Sequence, residues 1–497
     1  MDDPKAPTSA ASDPKKPPGA NKYVLRCTIL ASMNSILLGY DIGVMSGSVV
    51  LIKEYLGITY VQVQFLVGIL NVCSLIGSLA SGKTSDLIGR RYTVVVAAAT
   101  FLIGALLMGL APSYPYLVAG RVVAGIGVGY SLMIAPLYTA EIAPASVRGM
   151  LTSLPEFFIV AGILLGYVCN YALAGLPERF NWRLMLGMAG VPAVGLGSSV
   201  IFMPESPRWL VMKGRIEEAK RVLLKTSRDE EEAESRLQEI NQAALDDANL
   251  ASSKGRSGHA VWREFLHPSP ALRRILITAI GMNFFMQASG NDAVIIYTPE
   301  VFRAAGIHNK KKLFGINVIM GCTKAAFVMV SALFLDRFGR RPLLLLGSVG
   351  MACSLAALGL GSTFLEHAGS KPVWAMVVSI VAVCADVSFF SIGLGPITWV
   401  YSSEVFPLRL RAQGTALAIS VNRLMSGAVS MSFLSVSNRI TFGGTFFVLC
   451  GVMVVASLFF YCFLPETKGK TLEEMGALFE DKREEGDEPK AKEMTQL

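Results

Sequence analysis

Seven ionisable side chains lie deep inside apolar runs of this sequence, where charge is otherwise avoided: Asp41, Arg121, Glu156, Asp292, Lys324, Asp386 and Arg423. Asp41 is the sharpest case. It sits in GYDIG, Gly39 to Gly43, and between Val24 and Val50 the only other charged residue is Arg26, near the start of the run. A run of that length can cross a bilayer. Placing an acid there costs about 2.5 to 3.5 kcal/mol on insertion scales, so the acid implies a pathway, a partner or a proton. The seven comprise four acids and three bases; buried ions pair, which leaves one acid in surplus that a proton would cancel. Asp41 and Arg121 fall in the same half of their runs, at about 1.5 Å per residue, and are candidate partners. An acid that alternates between an arginine and an apolar setting takes up and releases a proton. Asp292 and Lys324, on successive runs at similar depth, are candidates for a second pair, whereas Asp386 and Arg423 have no evident assignment. Around these charges lie groups that suit a cavity for a polyhydroxylated solute, with hydrogen bonds on one side and a flat apolar face on the other. They are Glu156, Gln287, Asn291 and Trp399, the last following Gly395 and Pro396, which together predict a helix break. Each, taken singly, reads equally well as a helix-packing polar residue or an interface aromatic.

The elements that must position these groups are membrane helices. Of the 497 residues 52% are hydrophobic and 16% charged, with a mean hydropathy of +0.50, where soluble domains carry about 25% charge. Twelve apolar runs of spanning length lie between residues 24 and 464, each continuous and therefore helical, not barrel-forming. An even number puts both termini on one side. With both termini inside, 33 of the 45 Lys and Arg residues fall in the cytoplasmic segments, and the tails and the central segment decide that count, which makes their side the cytoplasm. The net charge of +8 is this topology signal and no nucleic-acid footprint. The eight cysteines lie in or beside apolar runs without metal-ligand spacing, and read as buried thiols with no metal site. Gly77 to Thr84, GSLASGKT, matches the phosphate-loop pattern literally, but it closes an apolar run instead of following a strand, so no nucleotide is expected. Gly125, Gly127 and Gly129 read as close-packing positions. No nucleophile and base pair accompanies them, and an enzyme is disfavoured.

Three charged signatures recur in the same order. GKTSDLIGRR and LDRFGRRP place Asp86, Arg90 and Arg91 at a constant offset of 250 from Asp336, Arg340 and Arg341. YTAEIAPASVRG and YSSEVFPLRLRAQG relate Glu141 and Arg148 to Glu404 and Arg411, offset 263. PESPRW and PETKGK relate Glu205 to Glu466, offset 261, with Arg208 beside the first. The recurrence predicts two six-helix halves of like orientation. Acids and arginines together at helix ends predict charge-assisted pairs that act as a gate on the tail side. The predicted organisation is a disordered tail over 1–22, a first bundle over 23–204, a linker with short helices over 205–271, a second bundle over 272–464 and a tail over 465–497. The linker helices read equally well as bearing on the bundle ends or as passively solvated.

GYDIGVMSG, the paired arginine signatures, RVVAGIGVGYSLMIAPLYTAEIAPASVRG, PESPRWL, GPITWVYSSEVFPLRLRAQG and PETKGKTLEE resemble the sugar porters of the major facilitator superfamily. Within them, GPITWVYSSEVFPLRLRAQG and QASG followed by Asp292 are most similar to the plant polyol and monosaccharide proton symporters. The resemblance spans nearly all of 22–475. It implies an all-α membrane protein of twelve helices in two pseudo-symmetric bundles. It implies Asp41 as proton acceptor with Arg121 as its partner, an inner gate at Glu141, Arg148, Glu404 and Arg411, and a solute near the midplane. The expected solute site comprises Glu156, Met286, Gln287, Asn291, Asp292, Lys324, Gly395 and Trp399. Where sugar porters often carry two glutamines this chain has Met286 and Gln287; Glu156 and Asp292 stand where many have amides, which changes the hydrogen bonds offered to a cargo. The expected function is symport of a polyol or monosaccharide with a proton, without cofactor, by a monomer in the plasma membrane or, alternatively, the vacuolar membrane. The rivals are an uncoupled facilitator, a nutrient sensor without turnover and an ATP-driven pump.

Overall fold

The computed structural model describes residues 21–144, 148–253, 264–304, 306–307, 309–367, 372–406 and 410–466, and the tails expected to be disordered lie almost wholly outside them. The side chains of Arg148, Asp336, Glu404 and Arg411 also lie outside the described part. The described residues are helical throughout. α1 (Lys22–Ser32) runs through a 3-10 turn into α2 (Ile36–Leu56), followed by α3 (Tyr60–Ile88), α4 (Arg90–Gly109), α5 (Tyr114–Ile142), α6 (Arg148–Thr152), α7 (Leu154–Leu173), α8 (Glu178–Gly187) and α9 (Gly190–Ser199). Three linker helices come next, α10 (Pro207–Met212), α11 (Ile216–Thr226) and α12 (Glu230–Ser253). The chain then forms α13 (Pro270–Ala288), α14 (Asn291–Ala304), α15 (Lys310–Phe338), α16 (Arg340–His367), α17 (Val373–Ile392), α18 (Leu394–Glu404) and α19 (Arg411–Phe463). Ten helical stretches among the described residues are long and apolar enough to cross a membrane.

The molecule is apolar outside and polar inside, as a bilayer solvent requires. Ile103, Val191, Ile201, Val381 and Leu458 are exposed, whereas Asp41, Arg121, Glu156, Asp386 and Arg423 are buried. Lipid gives no hydrophobic drive for helices to associate, so they pack through small residues that let backbones approach. A Cβ on Gly39 or Gly43 would lie 1.9 or 2.3 Å from the carbonyl oxygens of Ile159 and Ile163 on α7. In return, Gly162 and Gly166 of α7 receive the α2 backbone at Ile36, Tyr40 and Val44. Residues four apart share a helix face, so this glycine seam turns Asp41, two residues from each of Gly39 and Gly43, to the opposite side of α2, toward α5. Gly125 and Gly129 seat α5 against α3, and Gly127 seats it against α4, as the sequence suggests. The phosphate-loop match is simply part of α3, with Thr84 bonded to the Ala80 carbonyl and the Tyr130 hydroxyl.

Two breaks matter for the site. α13 and α14 are one run interrupted at Gly290, where φ is +77°, a conformation glycine tolerates and other residues resist. The second corrects an expectation: the chain breaks at Gly393 (φ −108°, ψ −87°), and Gly395 and Pro396 lie in the first turn of α18, where a proline costs no hydrogen bond. α19 also merges two segments across Thr441. The first packs on α3, with Ser435 Oγ donating to Gln64 (2.7 Å), and the second packs on α16, with Ser457 Oγ bonded to Ser348 (2.9 Å). All eight cysteines are free; Cys322, Cys353 and Cys462 are exposed on helix surfaces, not buried as the sequence predicts, because a thiol is apolar enough for a lipid-facing position. The linker helices bear on the bundle: Trp209 Nε1 donates to the Asp86 carbonyl at the end of α3 (3.1 Å), and Arg236 to the Ile142 carbonyl at the end of α5 (3.2 Å).

The seam sets a stability prediction. Gly43→Val drives a side chain into the α7 backbone, which cannot yield as a flexible side chain would, and lowers the thermal unfolding temperature in detergent by the equivalent of about 1–3 kcal/mol. Gly451→Ala, where an added Cβ meets nothing within 4 Å, leaves it unchanged or raises it.

Candidate functional site

α2 and α5 bring Asp41 and Arg121 together as the sequence anticipates: Arg121 Nη1 donates to Asp41 Oδ1, with both residues buried. The arginine is held independently of the acid. Its Nε donates to the Leu66 carbonyl (3.0 Å) and its Nη2 to the Val67 carbonyl (3.2 Å), so α3 fixes the guanidinium whatever Asp41 does. Those carbonyls are available because the α3 and α5 glycines bring the two helices close.

A second polar cluster forms where α7, α13, α14, α15, α17, α18 and α19 meet. Trp399 Nε1 donates to Glu156 Oε2 (2.9 Å), and the missing side chain at Gly395 makes room for that carboxylate, since a Cβ there would lie 2.9 Å from Glu156 Oε1. The break at Gly290 presents Asn291 and Asp292, and Ser426 Oγ donates to Asp292 Oδ2 (2.9 Å). With its amide nitrogen toward the acid, Gln287 donates to the same oxygen (2.9 Å) while its carbonyl accepts from Arg423 Nη2 (2.7 Å), so one amide links Asp292 to Arg423. Arg423 also reaches Asn422 beside it (Nε to Oδ1, 2.9 Å) and Asn71 on α3 (3.5 Å), and the Asn422 amide reaches the Met286 sulfur (3.3 Å).

The expected pairing of Asp292 with Lys324 is not found. Asp292 belongs to the Gln287 and Arg423 group, and the Lys324 ammonium lies over the Phe390 ring, 4.7 Å from its centroid. The helix break re-aims Asp292, which depth along a continuous helix does not foresee. Asp386, one turn before Phe390 on α17, is fully buried, and neither carboxylate oxygen has a hydrogen-bond partner among the described residues. Asp386 is thus the acid without a hydrogen-bonded partner among the described residues, and Lys324 lies within electrostatic reach of it as of Glu156 and Asp292. Sequence reasoning missed several neighbours, among them Asn422, Ser426, Tyr167 and Asn317. Asn317 Nδ2 donates to Ser46 Oγ on α2 (3.1 Å), and the Asn291 and Asn317 carbonyls and the Tyr167 hydroxyl are buried without partners among the described residues. Buried polar atoms are normally satisfied, so these oxygens are free to take a guest.

The linker-side ends carry the recurrent signatures. Arg90 forks onto Glu141 (Nε and Nη2, both 3.0 Å) and reaches Asp86 (3.0 Å). Glu205 accepts from the backbone amides of Arg90 (2.8 Å), Arg91 (3.3 Å) and Ser206 (2.9 Å), capping α4. Burial pushes the Glu205 pKa up, and those amides pull against it. The second half repeats the cap, with Glu466 accepting from the Arg340 and Arg341 amides (both 3.0 Å). Arg208 lies on α10 beside this end. These described contacts tie ends within each half.

A further set of ion pairs lies at the opposite mouth and joins α2 and α8 to α14 and α15, and the sequence does not reveal them. Glu54, at the end of α2, meets Arg303 of α14 (2.7 Å) and Lys310 of α15 (2.8 Å); Lys310 also meets Glu178 (3.3 Å), and Lys53 meets Glu300 (3.7 Å).

Residues 27–479 match the family model for sugar (and other) transporters. The chain belongs to this family. Relatives of this sugar transporter family member include the probable polyol transporter 6 of Arabidopsis thaliana, 53% identical over 94% of this chain and 96% of that one. Polyol transporter 5 of the same plant is 54% identical over 94% and 88%, and the glucose transporter GlcP of Staphylococcus epidermidis is 34% identical over 92% and 97%. Among solved structures, the major facilitator proton:xylose symporter XylE bound to 6-bromo-6-deoxy-D-glucose matches with a TM-score of 0.80 at 28% identity, covering 93% of this chain and 100% of that one. Inward-open XylE from E. coli matches at 0.71, with 28% identity over 92% and 100%. The chain is thus an integral membrane transporter of the major facilitator fold, not an enzyme.

The four ion pairs at the mouth opposite the linker are part-exposed, and such pairs contribute about 0.2–1 kcal/mol each. Glu54→Gln removes two of them and is expected to favour opening of that mouth by roughly twofold to thirtyfold. The modification rate of a Ser46→Cys variant by a water-soluble thiol reagent, read at that residue by mass spectrometry, checks it; an unchanged rate contradicts it.

Proposed function

We propose that this transporter carries a polyol or monosaccharide across the membrane together with a proton, by alternating access. The observation that carries the reading is the buried pair of Asp41 and Arg121 in a chain of the sugar transporter family. Its Arabidopsis relatives are named polyol transporters and its structural neighbour a proton:xylose symporter, which supports the same cargo class and coupling ion. No cofactor is required.

In this reading the proton acts on one contact. Stripping water from an ion costs several kcal/mol, so an ionised Asp41 stays on Arg121. Protonation removes the charge that holds it. Arg121 remains on the Leu66 and Val67 carbonyls, and the tie from α2 to α5 is released. The cargo sits among Glu156, Met286, Gln287, Asn291, Asp292, Lys324, Gly395 and Trp399, with Trp399 offering the flat face and the unpartnered oxygens of Asn291, Asn317 and Tyr167 completing hydrogen bonds to hydroxyls. Because α2 contacts this cluster through Ser46 and Asn317, its movement and cargo occupancy bear on the same helices.

The ten spans read as twelve once the 51-residue stretch Gln413–Phe463 is divided at Thr441 and α13 and α14 are counted as one broken span. We place them in halves over 23–204 and 272–464, joined by the linker over 205–271, with both termini cytoplasmic, in the plasma membrane, and with the monomer as the working unit. Asp86, Arg90, Arg91, Glu141, Arg148, Glu205 and Arg208, with Asp336, Arg340, Arg341, Glu404, Arg411 and Glu466, form the inner gate. The poorer match to inward-open XylE supports a state whose linker side is closed.

In proteoliposomes with an acidic exterior, the wild type is expected to accumulate a labelled polyol above equilibrium. Asp41→Asn loses accumulation entirely while keeping solute exchange; accumulation by that variant would refute the proton role assigned to Asp41.

A further inference from the structure

A cavity of about 320 Å³ opens on the linker side, walled by the start of α1, the start of α4 and one face of α11. Four cations line it, Arg91, Arg215, Arg221 and Lys225, against two carboxylates, Glu205 and Glu218. The carboxylates are already engaged. Arg215 forks onto Glu218 (2.8 and 2.6 Å), and Glu205 is turned onto the first amides of α4. Among the described residues no carboxylate pairs with Arg91, Arg221 or Lys225, and Arg91 Nε is buried without a hydrogen-bond partner. Glu218, Arg221, Val222 and Lys225 fall at helical spacing on one face of α11, so the cations are presented together and not scattered over a solvated helix. Tyr23, Tyr92 and Trp209 supply aromatic wall between them.

From this lining we propose that the cavity binds a phosphate monoester carried on a ring of sugar or inositol size, as a free metabolite or as a lipid headgroup. A phosphate monoester carries a charge of about −1.5 to −2 at neutral pH and three strong acceptor oxygens, which suits three unpaired cations offset by Glu205. A bare phosphate ion leaves most of the space empty, whereas a ring fills it and lays its C–H face on the tyrosines and Trp209. Both sources reach the cavity, because it lies where the spanning helices α1 and α4 meet the linker.

The location gives the site a consequence. Asn21 Nδ2 already ties the start of α1 to the end of α11 through the Lys225 carbonyl (2.9 Å), and Arg91 adjoins Arg90, which holds Glu141 and Asp86. A ligand bridging Arg91 to Arg221 and Lys225 clamps α11 onto the end of the first bundle and stabilises the linker-side arrangement seen here. This inference does not depend on which solute is transported.

The test uses the full chain in phosphatidylcholine nanodiscs. Soluble inositol trisphosphate is titrated in one arm, and phosphatidylinositol phosphate is incorporated in the disc in the other; unphosphorylated inositol is the control. A rise in unfolding temperature with the soluble probe identifies a free phosphate ester as ligand, and a rise only with the lipid identifies a headgroup. In either case Arg221→Ala with Lys225→Ala is expected to weaken binding about tenfold or more, each cation donating one charge-assisted contact, while transport without ligand is unchanged. Both positions are on the helix surface, where alanine is well tolerated. No effect of either phosphate, equal binding by unphosphorylated inositol, or undiminished binding by the double variant overturns the assignment.

Discussion

An acid and an arginine paired away from water are the constraint around which this molecule is arranged. An ionised Asp41 is not tolerable alone at that depth, since removing one partner from such a pair typically costs about 3–5 kcal/mol, whereas Arg121 keeps two backbone carbonyls. The fold meets that demand with glycine. The seam of Gly39, Gly43, Gly162 and Gly166 fixes the rotation of α2, and Gly125 and Gly129 bring α5 close enough to α3 for Arg121 to take two of its carbonyls. The guanidinium is therefore anchored twice over and the carboxylate once, an asymmetry that makes the acid the mobile member.

The remaining buried charges obey the same rule in a looser form. Asp292 and Arg423 do not touch but share Gln287, so a single neutral amide carries the attraction between them. Glu156 leans on Trp399 Nε1 across the boundary between α7 and α18. Lys324 has no ion pair among the described residues; it lies within electrostatic reach of Glu156, Asp292 and Asp386, with an aromatic face beneath it. At the helix ends, where water is available, charge is used differently. On the linker side the Arg90–Glu141 pair is buried and forked, while the pairs of Glu54 at the opposite mouth are part-exposed and join α2 to α14 and α15. Weak cross-ties suit contacts that must break in every cycle, and strong internal ones suit parts that move as units.

Much of this was legible in the chain itself. Asp41 and Arg121 stood out because charge in an apolar run has few explanations, and the recurrence at offsets near 250 to 263 picked out matched acids and arginines, of which Glu205 and Glu466 cap the following helices in the same way. The glycines of α5 were recognisable by spacing alone. What stayed hidden was whatever depends on direction instead of depth. Gly290 presents Asp292 to Gln287 and Ser426 instead of an ion pair with Lys324, and Gly393, not Gly395, breaks the run before Trp399, because a helix break needs a positive or unusual dihedral that any of several nearby glycines supplies. Glu54 lies 249 residues from Arg303, without a repeat to link it to Arg303 and Lys310, so only the folded chain shows that they meet. The basic cavity against α11 was likewise invisible, since its cations come from two segments far apart in the chain, Arg91 on α4 and Arg215, Arg221 and Lys225 at α11.

The most direct measurement is of the proton itself. Purified protein is reconstituted into vesicles loaded with a pH-sensitive dye, with no initial pH or voltage gradient, and a polyol is added outside. The account predicts acidification of the lumen in step with solute entry, abolished when Asp41 is replaced by a residue that cannot bind a proton. Solute entry with no change in internal pH would contradict it.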